Sequence, residues 1–130
     1  MAVINQLPQP AGGGSPTVTT LWTNANPSSN FSGQTVTLSQ AMTNFTLIKI
    51  AYKYTTTADV YNVYFDTTNY TYTGAYADEF SLISRPGTAG YVRRLTMAST
   101  TTISISTSYR LNASGDSTAY CIPVGIYGVN

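Results

Sequence analysis

Residues 45–54 read FTLIKIAYKY, and this stretch restricts the fold more than any other. Side chains on an extended strand alternate between its two faces with period two. Ile48, Ile50 and Tyr52 therefore share one face, and Lys49, Ala51 and Lys53 the other. That sorting predicts a half-buried strand. Shorter runs of the same kind recur along the chain. Residues 18–23 and 34–39 form the first two, joined by the polar run NANPSSNFSG, which has the Asn, Pro, Ser and Gly that a connection needs. Val36 and Leu38 lie on one face of the second strand, Thr35 and Thr37 on the other. Trp22 and Phe31 flank the connection and are expected to fold back onto the apolar face.

Residues 60–65, VYNVYF, are apolar on both faces except for Asn62. Such a strand is either buried on both sides or sits at a subunit contact. Residues 66–78 read as a long Tyr/Thr loop, and 79–84 as a strand closed by the Arg85-Pro86-Gly87 turn. Residues 89–97 and 101–109 look like a hairpin pair, with Ile103 and Ile105 facing in and Ser104 and Ser106 facing out. After a turn cluster at 111–117, the last strand, 118–127, carries Tyr120, Ile122, Val124 and Ile126 on a single face. Pro123 in that strand marks an edge position or a bulge. About eight strands with no helix between them predict a single antiparallel β-sandwich, jelly roll or small barrel. The predicted core is Trp22, Phe31, Val36, Leu38, Ile48, Ile50, Ile103, Ile105, Ile122 and Val124.

Composition supports an all-β chain. Charged residues make up 8%, against ~25% in an ordinary domain. Thr and Ser take their place at about a quarter of the chain, together with 11 tyrosines, and Thr and Tyr favour strands. A chain of 130 residues needs neither a disulfide nor a metal to hold one core. Net charge is +1, which gives no basic patch for nucleic acid. A surface this poor in charge tends to be covered in an assembly. Cys121 is the only cysteine; among Tyr120, Ile122 and Val124 it reads as a small buried hydrophobe. No signal peptide and no segment of membrane-spanning length is expected.

Residues 1–16, MAVINQLPQPAGGGSP, contain three prolines and a Gly-Gly-Gly run, and hold neither helix nor central strand. They are expected to form an anchoring arm and linker ahead of a head domain at 17–130. Val3, Ile4 and Leu7 stand out, because a purely solvated tail has no use for three aliphatic residues. The two readings are a tail without partners and a peptide that docks on another protein.

Leu21-Trp22-Thr23-Asn24, followed by Pro27, Phe31 and Gln34-Thr35-Val36, resembles a module of tailed-bacteriophage virion surface proteins. That module recurs in head fibres, collar and baseplate proteins and short tail-fibre-type adhesins. The C-terminal IPVGIYGVN, residues 122–130, is similar to the module's closing strand, and 45–54 to its third. The likeness spans roughly 21–130. It implies a β-sandwich carried on the virion, usually homotrimeric, assembled in the host cytoplasm and without enzymatic activity. It also implies self-association and contact with capsid, portal, collar or fibre proteins, as a head fibre, capsid decoration or tail fibre. The chain departs from a full tail fibre in having no fibrous shaft, and its 66–78 loop matches no known pattern.

The residue chemistry points away from catalysis. There is no histidine, which removes Ser-His-Asp and Cys-His arrangements and the commonest zinc ligand. The five carboxylates, Asp59, Asp66, Asp78, Glu79 and Asp116, fall at predicted loop ends, where Asp is a turn former; no calcium-loop spacing appears. Neither a cofactor nor a metal is expected. Arg93-Arg94 is the only basic doublet; on a strand its side chains diverge, which suggests an interface or a surface salt bridge with Asp78 or Glu79. Tyr70, Tyr72 and Tyr76 sit in a polar loop, as a packed lid, a subunit contact or a receptor-binding surface for host glycan. The expectation is a virion structural protein held by its arm. The alternative is a carbohydrate-binding, lectin-like adhesin module, with a sugar-active enzyme third.

Overall fold

The structure, a computed structural model, describes residues 15–67, 79–83, 90–111 and 114–130. Val3, Ile4 and Leu7 in the predicted arm, Tyr70, Tyr72 and Tyr76, Asp78 and the turn at 85–87 lie outside the described residues. The described residues form ten strands: β1 Val18–Thr23, β2 Gln34–Thr37, β3 Leu47–Thr55, β4 Val60–Asp66, β5 Glu79–Ile83, β6 Tyr91–Met97, β7 Thr102–Ile105, β8 Ser108–Arg110, β9 Asp116–Ser117 and β10 Tyr120–Val129. They make two antiparallel sheets packed as a β-sandwich. The first sheet runs β1-β10-β3-β4. In the second, β6 pairs with β5 on one side and with β7 and then β8 on the other; β2 and β9 flank these in turn.

The core is built where the alternation said a strand would be sorted. Ile48 and Ile50 on β3 are buried, and their cross-strand partners Phe65 and Val63 on β4 and Ile126 on β10 share that inner face. Opposite them, Val36, Leu82, Leu95, Met97, Ile103 and Ile105 line the inner face of the second sheet. Phe31, Leu38 and Ile122 join the buried set, with Met42 inserted from a 3-10 turn at Met42–Asn44. Methionine fills such irregular gaps well, and the strand pattern gave no hint of that turn.

Three departures from the expected strands share one cause, the insertion of an extra residue opposite a regular partner. Between Thr20 and Trp22 the β1–β10 register slips by one, and between Pro123 and Gly125 the β10–β3 register does the same. The expected single face of Tyr120, Ile122, Val124 and Ile126 is therefore broken. Pro123 pairs with Tyr52 and Ile126 with Ile50, so Val124 is the inserted residue and is only half-buried rather than in the core. Pro123 sits in a central strand, not at an edge, and is accommodated beside this bulge. The predicted strand 101–109 is likewise split into β7 and β8. Leu95 pairs with Ile105 but Val92 with Tyr109, one residue out of step across Ser106 and Thr107. Bulges of this kind bend the strand and increase its twist.

β4 is not buried on both sides along its length. Val60, Tyr61 and Asn62 are exposed while Tyr64 and Phe65 are buried, because β4 is an edge strand whose second half alone faces the other sheet.

Candidate functional site

The centre of the sandwich holds a charge. Arg93 alternates with Leu95 and Met97 on the inner face of β6 and is 0% exposed. This corrects its expected place at an interface or in a surface ion pair. Its Nε donates to the Cys121 carbonyl at 2.9 Å and to that of Tyr120 at 3.3 Å; Nη2 donates to Tyr120 at 2.9 Å and Nη1 to the Ser106 carbonyl at 2.6 Å. Among the described residues its hydrogen-bond partners are all main-chain oxygens. Burial lowers the guanidinium to about 10, so it stays charged at neutral pH, and each donation from a charged group is stronger than a neutral one. Arg93 thus ties the β7–β8 bulge to the start of β10, where the chain passes to the other sheet. Cys121, buried at that point, has φ +51°, a conformation few non-glycine residues adopt. The Arg93 donation to its carbonyl and the approach of its Sγ to the Tyr91 carbonyl, 3.5 Å, hold it there.

The β1–β2 connection lies over this tie. The Asn24 side chain does two jobs: Oδ1 accepts from the Asn26 N–H at 2.9 Å, closing a local turn, and Nδ2 donates to the Pro123 carbonyl at 2.8 Å. The Asn24 main-chain N–H adds a bond to the Val124 carbonyl at 2.9 Å, and Phe31 N–H one to Thr118 at 2.8 Å. Lys53 reaches the Pro27 carbonyl with Nζ at 3.4 Å. Phe31 goes down into the core, where the Arg93 guanidinium lies 5.2 Å from its ring centre. Trp22 meets Phe31 edge to face at 6.1 Å and is half-buried rather than part of the core. Gly33 closes the segment; a Cβ there would stand 2.8 Å from the Thr107 main-chain nitrogen. Between these anchors an open pocket of about 430 Å³ is lined by Trp22, Phe31, the Asn24, Asn26 and Asn30 amides and Gln34, with serines between them.

A second candidate surface is the edge made by β4 and β5. The Tyr52 hydroxyl donates to the Ile83 carbonyl at 3.0 Å, and Tyr52 is cross-strand from Tyr61, so both exposed strand ends meet at one side of the sandwich. Val60 and Ile83 are each 50% exposed and Tyr61 39%. Tyr61 stacks on Tyr54 with ring centres 4.1 Å apart. Burial, ahead of its tyrosine neighbours, pushes the Tyr52 hydroxyl up to about 12.

Of the residues singled out in the sequence, Phe31, Val36, Leu38, Ile48, Ile50, Ile103, Ile105 and Ile122 meet in one buried cluster, with Trp22 packed against its rim. Among the described residues, Asp66 ends β4 in the first sheet and Glu79 begins β5 in the second, while Asp59 and Asp116 are exposed. Among the described residues no three His, Cys, Asp or Glu side chains stand together as a metal site, and no helix is long and apolar enough to cross a membrane. Sequence reasoning missed Arg93 as a core residue and the Asn24–Asn30 run as a pocket wall. The second had a signal: three asparagines enclosed by a tryptophan and a phenylalanine within ten residues, 22–31. A scan against protein-family models matched none, and a search of curated proteins found no relative.

Proposed function

We propose that this protein is a non-enzymatic structural component of a bacteriophage virion surface: a β-sandwich head that self-associates and is attached through its N-terminal arm. One observation carries the reading. The resemblance falls on segments dispersed in sequence, and strands from all three, β1 of 21–36, β3 of 45–54 and β10 of 122–130, are neighbours in the first sheet, while Gln34-Thr35-Val36 stands on β2 in the second. β10 pairs on one side with β1, Trp22 against Ile126, and on the other with β3, Ile126 against Ile50.

The β4–β5 edge supports the self-association in this reading. An edge strand presents unpaired main-chain groups and invites pairing unless it is blunted by charge or covered. Val60, Tyr61 and Ile83 leave this one apolar, and a second copy of the chain in a closed ring would cover it. The resemblance implies three copies. The arm would then carry Val3, Ile4 and Leu7 to a capsid, portal, collar or fibre partner, by strand addition or by filling small pockets.

The test is incorporation into particles. In cells producing the virion, tagged full-length chain is expected to sediment with purified particles. Chain lacking residues 1–14 is expected to keep its oligomeric state in solution yet remain at the top of the gradient. Full incorporation of the truncated chain would refute the anchoring role, and exclusion of the full-length chain from particles would refute the assignment itself.

A further inference from the structure

We infer that the β1–β2 pocket beside Trp22 is a binding site for a neutral saccharide. The inference stands on the pocket's geometry and does not depend on the virion assignment.

The first argument is preorganisation. The connection is fixed at both ends by the Asn24 and Phe31 main-chain bonds to Val124 and Thr118, and its middle by the Asn24 side chain. A site held in shape before the ligand arrives does not lose affinity to loop ordering. Its volume, about 430 Å³, lies within the ~300–1,000 Å³ of small-ligand sites.

The second argument is chemistry. None of the residues lining the pocket is charged, which disfavours a phosphate, a sulfate or an anionic sugar and favours a neutral ligand. Trp22, half-buried at the rim, supplies apolar ring surface, and the C–H face of a pyranose is the apolar counterpart such a ring takes up. Around the ring stand groups with unused hydrogen-bonding capacity. The side chains of Asn26, Ser29, Asn30 and Ser32 and the Trp22 indole N–H have no hydrogen-bond partner among the described residues. A carboxamide offers two donors and an acceptor, and a hydroxyl one donor and two acceptors. A row of sugar hydroxyls needs that mixture. Asn24, by contrast, is already committed to the fold, so recognition falls to Asn26 and Asn30.

The protein carries its own probe, because Trp22 is its only tryptophan. Emission from the full-length chain is followed while glucose, galactose, mannose, N-acetylglucosamine and N-acetylgalactosamine, and short oligosaccharides of each, are added. N-acetylneuraminic acid and a sulfated disaccharide serve as anionic comparators. At least one neutral saccharide is expected to shift the emission saturably, at a concentration in the ~0.1–10 mM range of weak small-ligand sites. Asn26→Ala with Asn30→Ala is expected to weaken that binding at least tenfold while the melting temperature is unchanged, since neither side chain is hydrogen-bonded among the described residues and neither has positive φ. Ser29→Ala with Ser32→Ala provides a second variant read the same way. The inference is overturned if no neutral saccharide gives a saturable shift, if only the anionic sugars do, or if both double variants bind like the parent.

Discussion

Arg93 and the β4–β5 edge show the two ways in which this chain departs from the ordinary rule of charge outside and hydrocarbon inside. At Arg93 a full charge lies between the sheets, with its N–H groups turned to three main-chain carbonyls. At the edge, Val60, Tyr61 and Ile83 face solvent with no charged neighbour on their own strands at positions 60–62 or 82–83. The first arrangement is locked: removing one partner strands the others. The second is open, and changing it costs the isolated fold little. A chain with 8% charged residues thus spends a charge on fixing two sheets together and leaves apolar surface for association.

The sharpest way to break this comparison is Arg93→Leu. The carbonyls of Ser106, Tyr120 and Cys121 would stay buried without their donors, and each such group costs roughly 1–3 kcal/mol. A loss of ~3–5 kcal/mol is expected, in line with breaking other buried charged arrangements, read as a lower urea midpoint. Arg94, exposed on the opposite face over the Tyr109 ring, is the control, and Arg94→Ala should move stability by no more than ~0.5 kcal/mol. Equal effects at 93 and 94 would mean that the buried guanidinium does not tie the sheets.

Next in size is core truncation. Ile103 is 0% exposed, and Ile103→Ala should cost ~2–5 kcal/mol through lost transfer energy and a residual cavity. Val60→Ala at the edge leaves no cavity and should fall within ~0.5 kcal/mol. Gly33→Ala comes between them: its Cβ would press on the Thr107 main chain at 2.8 Å, and the forced shift should cost ~1–3 kcal/mol. A Gly33→Ala protein as stable as the parent would mean that β2 can move away from the bulge.

The smallest expected effect is in alkaline solution. The Tyr52 hydroxyl titrates near 10 in the unfolded chain and at about 12 when folded. The folded state therefore holds this proton longer, and the stability it contributes is complete below pH 10 and lost as pH rises from 10 to about 12. Arg93 has the opposite sign, since its folded value of about 10 lies below the ordinary arginine range, so the two partly offset one another. Comparing Tyr52→Phe with the parent isolates the tyrosine: the parent's melting temperature should fall further between pH 9 and 11.5 than the variant's. Parallel curves would remove the Tyr52–Ile83 bond from the account of the edge.

The fold could be read from the sequence where period two survives. β3 was legible because Ile48, Ile50 and Tyr52 alternate with lysines and alanine without interruption, and β2 and β7 for the same reason. Legibility failed where a residue is inserted. Nothing in IPVGIYG says that Val124 is the extra residue, because a bulge is set by the partner strand, here Tyr52 and Ala51 of β3 opposite Pro123 and Gly125, and not by local propensity. Arg93 was misplaced because charge argues for the surface, and only tertiary structure brings three main-chain carbonyls to its head group. The pocket was half legible: the turn residues of 24–30 and the flanking aromatics were plain, but not that Asn24 is structural while Asn26 and Asn30 are unengaged.

The claim that joins these parts is that the β4–β5 edge is covered by another copy of the chain. Sedimentation equilibrium of the full-length protein, alongside a Val60→Lys, Ile83→Lys variant, tests it directly, since lysine is what blunts an exposed edge. The account predicts a closed oligomer for the parent, three copies if the resemblance holds, and a monomer for the variant with its β-type circular dichroism intact. A parent protein that sediments as a monomer, or a variant that keeps the parent's oligomeric mass, would contradict it.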